Sequence, residues 1–202
     1  YIGILPNKLA ESRVIVNLFF SQLINQNTKE LPQDNPDLKH QCLLLMDEFT
    51  SIGRVEIIAH SVSYMAGYNI RLFPIIQSVA QLDAVYGKEY ARTIITNHAL
   101  QIIYTPREQQ DANEYSEMLG YTTVKRRNVS RGRERSISES EERRALMLPQ
   151  ELKGMNQDSE IILYEGMAHP AKVNKIRYYQ DGMFTKRLKG AVKVASLKGG
   201  QQ

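Results

Sequence analysis

One cysteine, Cys42, stands in 202 residues, so no disulfide can close within the chain. Set in an apolar run, it reads as a small buried hydrophobe and fits a reducing compartment. No apolar run approaches the roughly 20 residues needed to cross a bilayer, and no secretory leader is visible. His40, His60, His98 and His169 lack metal-ligand spacing, and His98 reads as a helix-end or packing residue. No serine sits in a nucleophile-elbow pattern, and no internal repeat is found. These absences exclude a disulfide scaffold, a zinc module, an elbow-type hydrolase and a solenoid. What is present is an ordinary globular balance, 42% apolar and 24% charged, enough for one large or two small domains. The net charge of +4 permits an anionic partner without arguing for one. The chain opens on strand-like Tyr1-Ile2-Gly3-Ile4-Leu5 without a Met, which reads as a piece of a longer protein.

Periodicity predicts a strand at 1–5, then a helix over 12–26 whose wide apolar stripe (Val14, Ile15, Leu18, Phe19, with Val16, Phe20 and Ile24) predicts cover on much of its circumference. Residues 27–39, with Pro32 and Pro36, read as a surface loop. A core strand follows at 42–46, then a helix over 55–66 that Gly67 ends. A second core strand is predicted at 70–76, helical pieces near 80–86 and 90–97, and a third strand at 100–104. Residues 107–119 read as an amphipathic helix with Ala112, Tyr115, Met118 and Leu119 inward. Strand and helix alternate, as in a parallel sheet with helices on its faces. Residues 125–144 form a charged excursion, read as a mobile hairpin or loop. A short helix near 149–153 and strands at 160–164 and 171–178 resume the pattern, and 186–202 read as a basic tail. Met46, Met65 and Met118 read as core filler.

Cys42-Leu43-Leu44-Leu45-Met46-Asp47-Glu48-Phe49 organises this pattern. A short apolar run between polar boundaries reads as a strand buried on both faces. Carboxylates at its C-terminal lip lie where open α/β sheets place ligands. In phosphate-loop nucleotide hydrolases such a strand is the Walker B element, whose first acid holds Mg²⁺ and whose second orients water. The alternative is a strand that simply ends in solvated acids.

The ordered motifs narrow the choice. Residues 43–53 are followed by Ala66-Gly67-Tyr68, Ile75-Ile76-Gln77-Ser78, Gln81-Leu82, Tyr86-Gly87 and Asn97-His98. Tyr104-Thr105-Pro106-Arg107-Glu108 with Asp111-Ala112 comes next, then Arg143-Arg144 with Leu148-Pro149-Gln150-Glu151-Leu152. From residue 1 to about 180 the series resembles the TraG/TraD-type coupling proteins of conjugation and type IV secretion. The Tyr104–Glu108 and Leu148–Leu152 segments set it apart from FtsK-like motors.

The resemblance implies an α/β, three-layer RecA-like P-loop NTPase core over residues 1–185, with a mostly parallel sheet and helices on both faces. It implies a membrane-anchored hexamer that delivers relaxosome-bound DNA, single- or double-stranded, or protein effectors to a secretion channel. The expected location is the cytoplasmic face of the bacterial inner membrane, this piece itself being soluble and cytoplasmic. Asp47 matches the Walker B acid that orders Mg²⁺, Glu48 the catalytic carboxylate, and Gln77 the γ-phosphate sensor. A carboxylamide suits that last task because it both donates and accepts.

Two departures qualify the likeness. The phosphate-binding loop G-x-x-x-x-G-K-[ST] is absent, and in the family it lies upstream of residue 1. The core is therefore expected to be incomplete, lacking its P-loop strand, with poor binding of ATP and Mg²⁺ by this chain alone and apolar surface exposed around residues 43–45. The arginine that some relatives carry after Walker B is also missing. Arg54, Arg71, Arg92 and Arg107 are the candidate fingers, with Arg107 at a plausible rim position. Its alternative is a helix-start arginine paired with Glu108 or Asp111.

In the basic loop, Arg126, Arg127, Arg131 and Arg133 have three readings: phosphate contact, a subunit contact in a ring, or a solvated loop balanced by Glu139, Glu141 and Glu142. No aromatic is interleaved to stack on bases. A docking module for relaxosome or effector proteins, with catalysis needing a missing half, is the second reading of the whole chain.

Overall fold

The computed structural model describes residues 4–131 and 135–190. The strand expected at 1–5 lies largely outside that range, and Pro6–Lys8 form a 3-10 turn leading into α1, Leu9–Asn27. Then come β1 (Cys42–Met46), α2 (Glu56–Ser61), β2 (Ile70–Pro74), α3 (Val79–Tyr86), α4 (Lys88–Thr96), β3 (Leu100–Ile103) and α5 (Gln109–Leu119). The second part holds β4 (Tyr121–Arg131), β5 (Arg135–Ala145), α6 (Pro149–Lys153), β6 (Ser159–Tyr164), β7 (Ala171–Asn174) and α7 (Gly182–Thr185).

Among the described residues the strands form three sheets. β1 pairs with β2 in parallel, from Cys42↔Ile70 to Met46↔Pro74. β3, β6 and β7 form an antiparallel sheet in that order, and β4 pairs with β5. The expectation of a mostly parallel sheet holds for β1–β2 only. Strand–helix crossovers build the first half, whereas β6 returns through a six-residue connection to β7, too short for a parallel crossover.

Two cores result. Ile24, Leu44, Met46, Phe49, Val55, Ile58, Met65, Ile70, Leu82 and Tyr86 pack together with the first four helices. Ile103, Leu119, Leu152, Met155 and Ile161 pack as a second core between β3, α5, α6 and β6. Cys42 sits half-buried against the first, as a free thiol.

The residues of β1 alternate. Leu44 and Met46 are buried, while Leu43 and Leu45 are 60% and 59% exposed. The expected burial on both faces is thus corrected: helices cover one face, and the other, with Phe73 of β2, is open. The apolar surface expected around residues 43–45 is exposed at Leu43 and Leu45.

The expected cover of α1 is likewise corrected. Ile24 is its one buried residue, and Val14, Ile15, Leu18 and Phe19 are exposed. Its contacts fall on one side. Asn17 donates to the Arg54 carbonyl (3.0 Å) and accepts from the Glu56 amide (3.2 Å), so its amide caps the start of α2. Gly53 permits that approach: its φ is +77°, and a Cβ there would lie 2.9 Å from the Arg13 guanidinium. α2 ends at Ser61, short of the expected 66, and the chain turns through a 3-10 segment at Met65–Tyr68.

The charged excursion is a long regular hairpin, its register running from Tyr121↔Ala145 to Arg131↔Arg135. Part of its basic strand faces acids of the other strand. Lys125 lies 3.9 Å from Glu141 and Arg126 3.0 Å from Glu142. Arg143 stacks over Tyr121, centroid distance 4.0 Å. Arg144 bonds Glu151, whose carboxylate also accepts from the Leu148 amide at 2.8 Å. Those two donors, the Leu148 amide first, hold its pKa below the usual carboxylate value and close the first turn of α6. The basic tail expected at 186–202 is described as far as residue 190.

Candidate functional site

β1 does not simply stop at its acids. The Met46 carbonyl accepts from the Ile75 amide and the Phe49 amide donates to the Ile75 carbonyl, both at 3.0 Å. In a regular parallel ladder one residue, not two, would span those bonds. Asp47 and Glu48 therefore form a bulge with one residue too many, and both side chains are extruded into solvent. Glu48 takes up the excess by adopting φ +51°, rare for a residue with a Cβ. The turn closes where the Ser51 amide donates to the Glu48 carbonyl at 2.8 Å.

The bulge rests on a rigid floor. Phe49, fully buried, stacks on Tyr86 with centroids 5.2 Å apart. The Tyr86 hydroxyl accepts from the Val55 amide at 3.2 Å, and burial pushes its pKa up to about 12. A polar tie joins the loop to α3, since Thr50 donates to the Gln81 side chain at 3.4 Å.

β2 ends at Pro74, and Gln77 and Ser78 lead into α3. Ser78 caps that helix by accepting from the Gln81 amide (3.3 Å). The parallel register carries Gln77 past the end of β2 on the same side as the acids past the end of β1. The Val79 amide donates to the Asp111 carboxylate of α5 at 3.3 Å. The start of α5 thus abuts the start of α3, so the chain leaving β3 reaches the same rim. Asp47 and Glu48 follow β1 and Gln77 follows β2 at the same end of the parallel pair, and Arg107 lies in the chain between β3 and α5. All four are exposed, and none forms an ion pair with a described residue.

Of the other candidate fingers, Arg54 and Arg71 are engaged within the chain, whereas Arg92 is exposed and forms no ion pair with a described residue. Arg54 lies 2.8 Å from Glu56 through Nε, without hydrogen-bond alignment, donates to the Tyr86 carbonyl and stacks over Tyr90. Arg71 donates to the Ala66 carbonyl at 2.8 Å. The pairing of Arg107 with Glu108 or Asp111 does not occur. Arg126 is paired with Glu142, Arg133 lies outside the described residues, and so do the side chains of Arg127 and Arg131. His98 is a helix-end residue, its ring Nδ1 at 2.6 Å from the Ile94 carbonyl. No group of three metal-ligating side chains occurs among the described residues.

Sequence reading missed Asp111, buried with only 4% of its surface exposed. Burial raises its pKa, and Glu114, Glu108 and Asp83 add to the rise against the Val79 hydrogen bond. Its signal was spacing, since Asp111, Tyr115 and Leu119 recur at i, i+4 and i+8 on the inner stripe. Met118, expected inward, is exposed.

A bulged acidic pair, an amide and a capped helix at neighbouring strand ends define an α/β protein with a candidate site at its strand lip. The sequence profile of the family described as Type IV secretory system Conjugative DNA transfer matches residues 1–200, and the chain belongs to that family. It is 29% identical over 187 residues to protein VirD4 of Agrobacterium fabrum, an alignment covering 91% of this chain and 28% of VirD4. It is 31% identical over 137 residues to the conjugal transfer protein TraG of Escherichia coli, covering 64% of this chain and 21% of TraG. Its fold matches that of the bacterial conjugative coupling protein TrwBdeltaN70, with a TM-score of 0.67 at 19% identity, over 83% of this chain and 38% of the other. TrwB in complex with ADP and Mg²⁺ matches with a TM-score of 0.64 at 19% identity, over 83% of this chain and 37% of the other.

Proposed function

We propose that this chain is part of the RecA-like motor domain of a coupling ATPase, membrane-anchored and hexameric in its intact form, that drives DNA or protein substrates into a type IV secretion channel. The observation that carries this reading is the bulge presenting Asp47 and Glu48 beside Gln77, in a chain that belongs to the conjugative DNA transfer family. The donor set fits the chemistry. Two extruded carboxylates, neither ion-paired with a described residue, offer hard oxygen ligands of the kind Mg²⁺ takes beside phosphates. Asp47 would hold Mg²⁺-nucleotide, and the metal when bound would supply charge neutralisation on the phosphate oxygens. Glu48 orients and polarises the attacking water, and Gln77 bonds the terminal phosphate and reports its presence to α3. Arg107 is the candidate to reach a neighbouring subunit's site.

Glu48→Gln keeps the side-chain shape and removes the charge. In the intact protein it is expected to abolish ATP hydrolysis and substrate transfer while leaving partner binding unchanged. Retained hydrolysis in a steady-state assay would reject the assignment.

The phosphate-binding loop is supplied from outside these 202 residues in this reading. β2 and β3 reach the same rim yet are not hydrogen-bonded to each other, an arrangement suited to a strand between them. The 202-residue chain alone, lacking the loop and its lysine, is expected to show no micromolar binding of Mg-ATP by isothermal titration calorimetry.

The cross-strand pairing within the hairpin favours a second role, contact with a neighbouring subunit or a relaxosome protein rather than with DNA. Its Lys125 and Arg126 are already compensated by Glu141 and Glu142. Serine at Arg126, Arg127, Arg131 and Arg133 together is expected to weaken assembly or partner binding and leave DNA affinity unchanged in a salt-matched assay.

A further inference from the structure

The first amides of a helix have no partner within it. In α3 two of them are satisfied from different places: Gln81 by the local cap Ser78, and Val79 by Asp111, which lies 32 residues away on α5. The two cores are otherwise separate bodies of side chains. Among the described residues, the one other side chain bonding from the second half to the first is Gln101, which donates to the carbonyls of Ile95 and His98. That contact lies at the far end of β3, away from the rim. At the rim itself the Asp111–Val79 bond is the sole side-chain hydrogen bond between α5 and the turn that carries Gln77.

A buried carboxylate is costly to keep charged, and Asp111 lies on the inner stripe of an amphipathic helix where an apolar residue would stabilise more simply. Its acceptor is aimed at an amide two residues beyond Gln77. The helix dipole of α3 gives that position a partial positive charge, so the contact is charge-assisted as well as directional. We propose that Asp111 is a positioning residue, a latch by which α5 fixes the Gln77–Ser78 turn against the bulged acids and through which the second core senses the state of the first. This rests on the assignment of Gln77 as the phosphate-reading group. A displacement of α5, produced by whatever packs on the second half, would be felt at Gln77 without any contact with nucleotide.

The test compares Asp111→Ala with Asp111→Asn in the intact protein. Asparagine keeps a side-chain carbonyl in place to accept from Val79, and alanine removes the acceptor. Two quantities are read: steady-state hydrolysis of Mg-ATP, and hydrogen exchange at the Val79 amide. Asp111→Ala is expected to lower kcat about tenfold or more, with KM within about twofold, because alignment rather than affinity is lost. It should also speed Val79 exchange about fivefold, the scale of a lost cap. Asp111→Asn is expected to restore most of both. Unchanged Val79 exchange in Asp111→Ala overturns the proposal, and so does an asparagine variant as impaired as the alanine one. If Glu48→Gln still hydrolyses ATP, the site assignment fails, and Val79 exchange alone then decides whether Asp111 holds the turn. If the alanine variant does not fold, the asparagine variant decides: Val79 protection and kcat near wild type uphold the latch, and loss of either overturns it.

Discussion

Glu48 concentrates the conflict between stability and chemistry in one residue. Its left-handed backbone is the means by which a two-residue bulge fits opposite Ile75, and a side chain with a Cβ disfavours that conformation by about 1 to 2 kcal/mol. Glycine adopts it freely but loses more chain entropy on folding. Glu48→Gly is therefore expected to raise unfolding stability by about 0.5 to 1 kcal/mol, read as a shift of the urea midpoint at unchanged slope. Glu48→Gln, with the same backbone preference, should leave the midpoint in place, and Glu48→Val should lower it, β-branching being least tolerant of positive φ. An unmoved midpoint for glycine would mean that the bulge carries no strain in solution. A stabilised but inactive glycine variant would show an exposed acid kept at a cost to the fold.

At the scale of elements, the start of α3 joins local and distant signals, and they respond differently to pH. Burial raises the Asp111 pKa above its ordinary value, with Glu114, Glu108 and Asp83 around it adding to the effect. The folded protein thus binds the Asp111 proton more tightly than the unfolded chain does. The associated stability is fully present below the unfolded value near 3.9 and is lost as pH rises through the folded value. Relative to Asp111→Asn, which does not titrate, the wild-type protein should lose stability as pH is raised from about 4 toward neutrality. Urea unfolding across that window checks the sign, and a difference independent of pH would refute it. β1, β2, β3 and α5 were legible because their apolar spacing is set by partners inside the chain, and each boundary fell within a few residues. The bulge was not legible, since a one-residue excess depends on which carbonyl meets which amide across two strands. Asp111 was on the inner stripe but was hidden by its charge. The charged stretch read as a mobile hairpin or loop because its strands carry few apolar residues, which leaves little apolar alternation to reveal the register.

The molecule as a whole carries two cores and an uncovered apolar face. Leu43 and Leu45 of β1 and Phe73 of β2 share one side of a parallel pair, and parallel strands are ordinarily covered on both sides. Val14, Ile15 and Leu18 of α1 are also exposed, Val14 by 78%. Exposed apolar surface of this kind drives association, while an already exposed leucine contributes little to the fold it sits on. Leu45→Ser in the 202-residue chain is thus expected to change unfolding stability by no more than about 0.5 kcal/mol and to lower self-association in sedimentation velocity at matched concentrations. In the intact protein, where the motor reading has this face covered, Leu45→Ala should cost about 2 to 4 kcal/mol, the scale of a truncated core leucine. The contrast between the two contexts is the measurement. Equal small effects in both would mean that the face stays open in the complete protein, and the expectation of helices on both faces of the sheet would then have to be abandoned. A large effect confined to the intact protein would locate its covering element against Leu45.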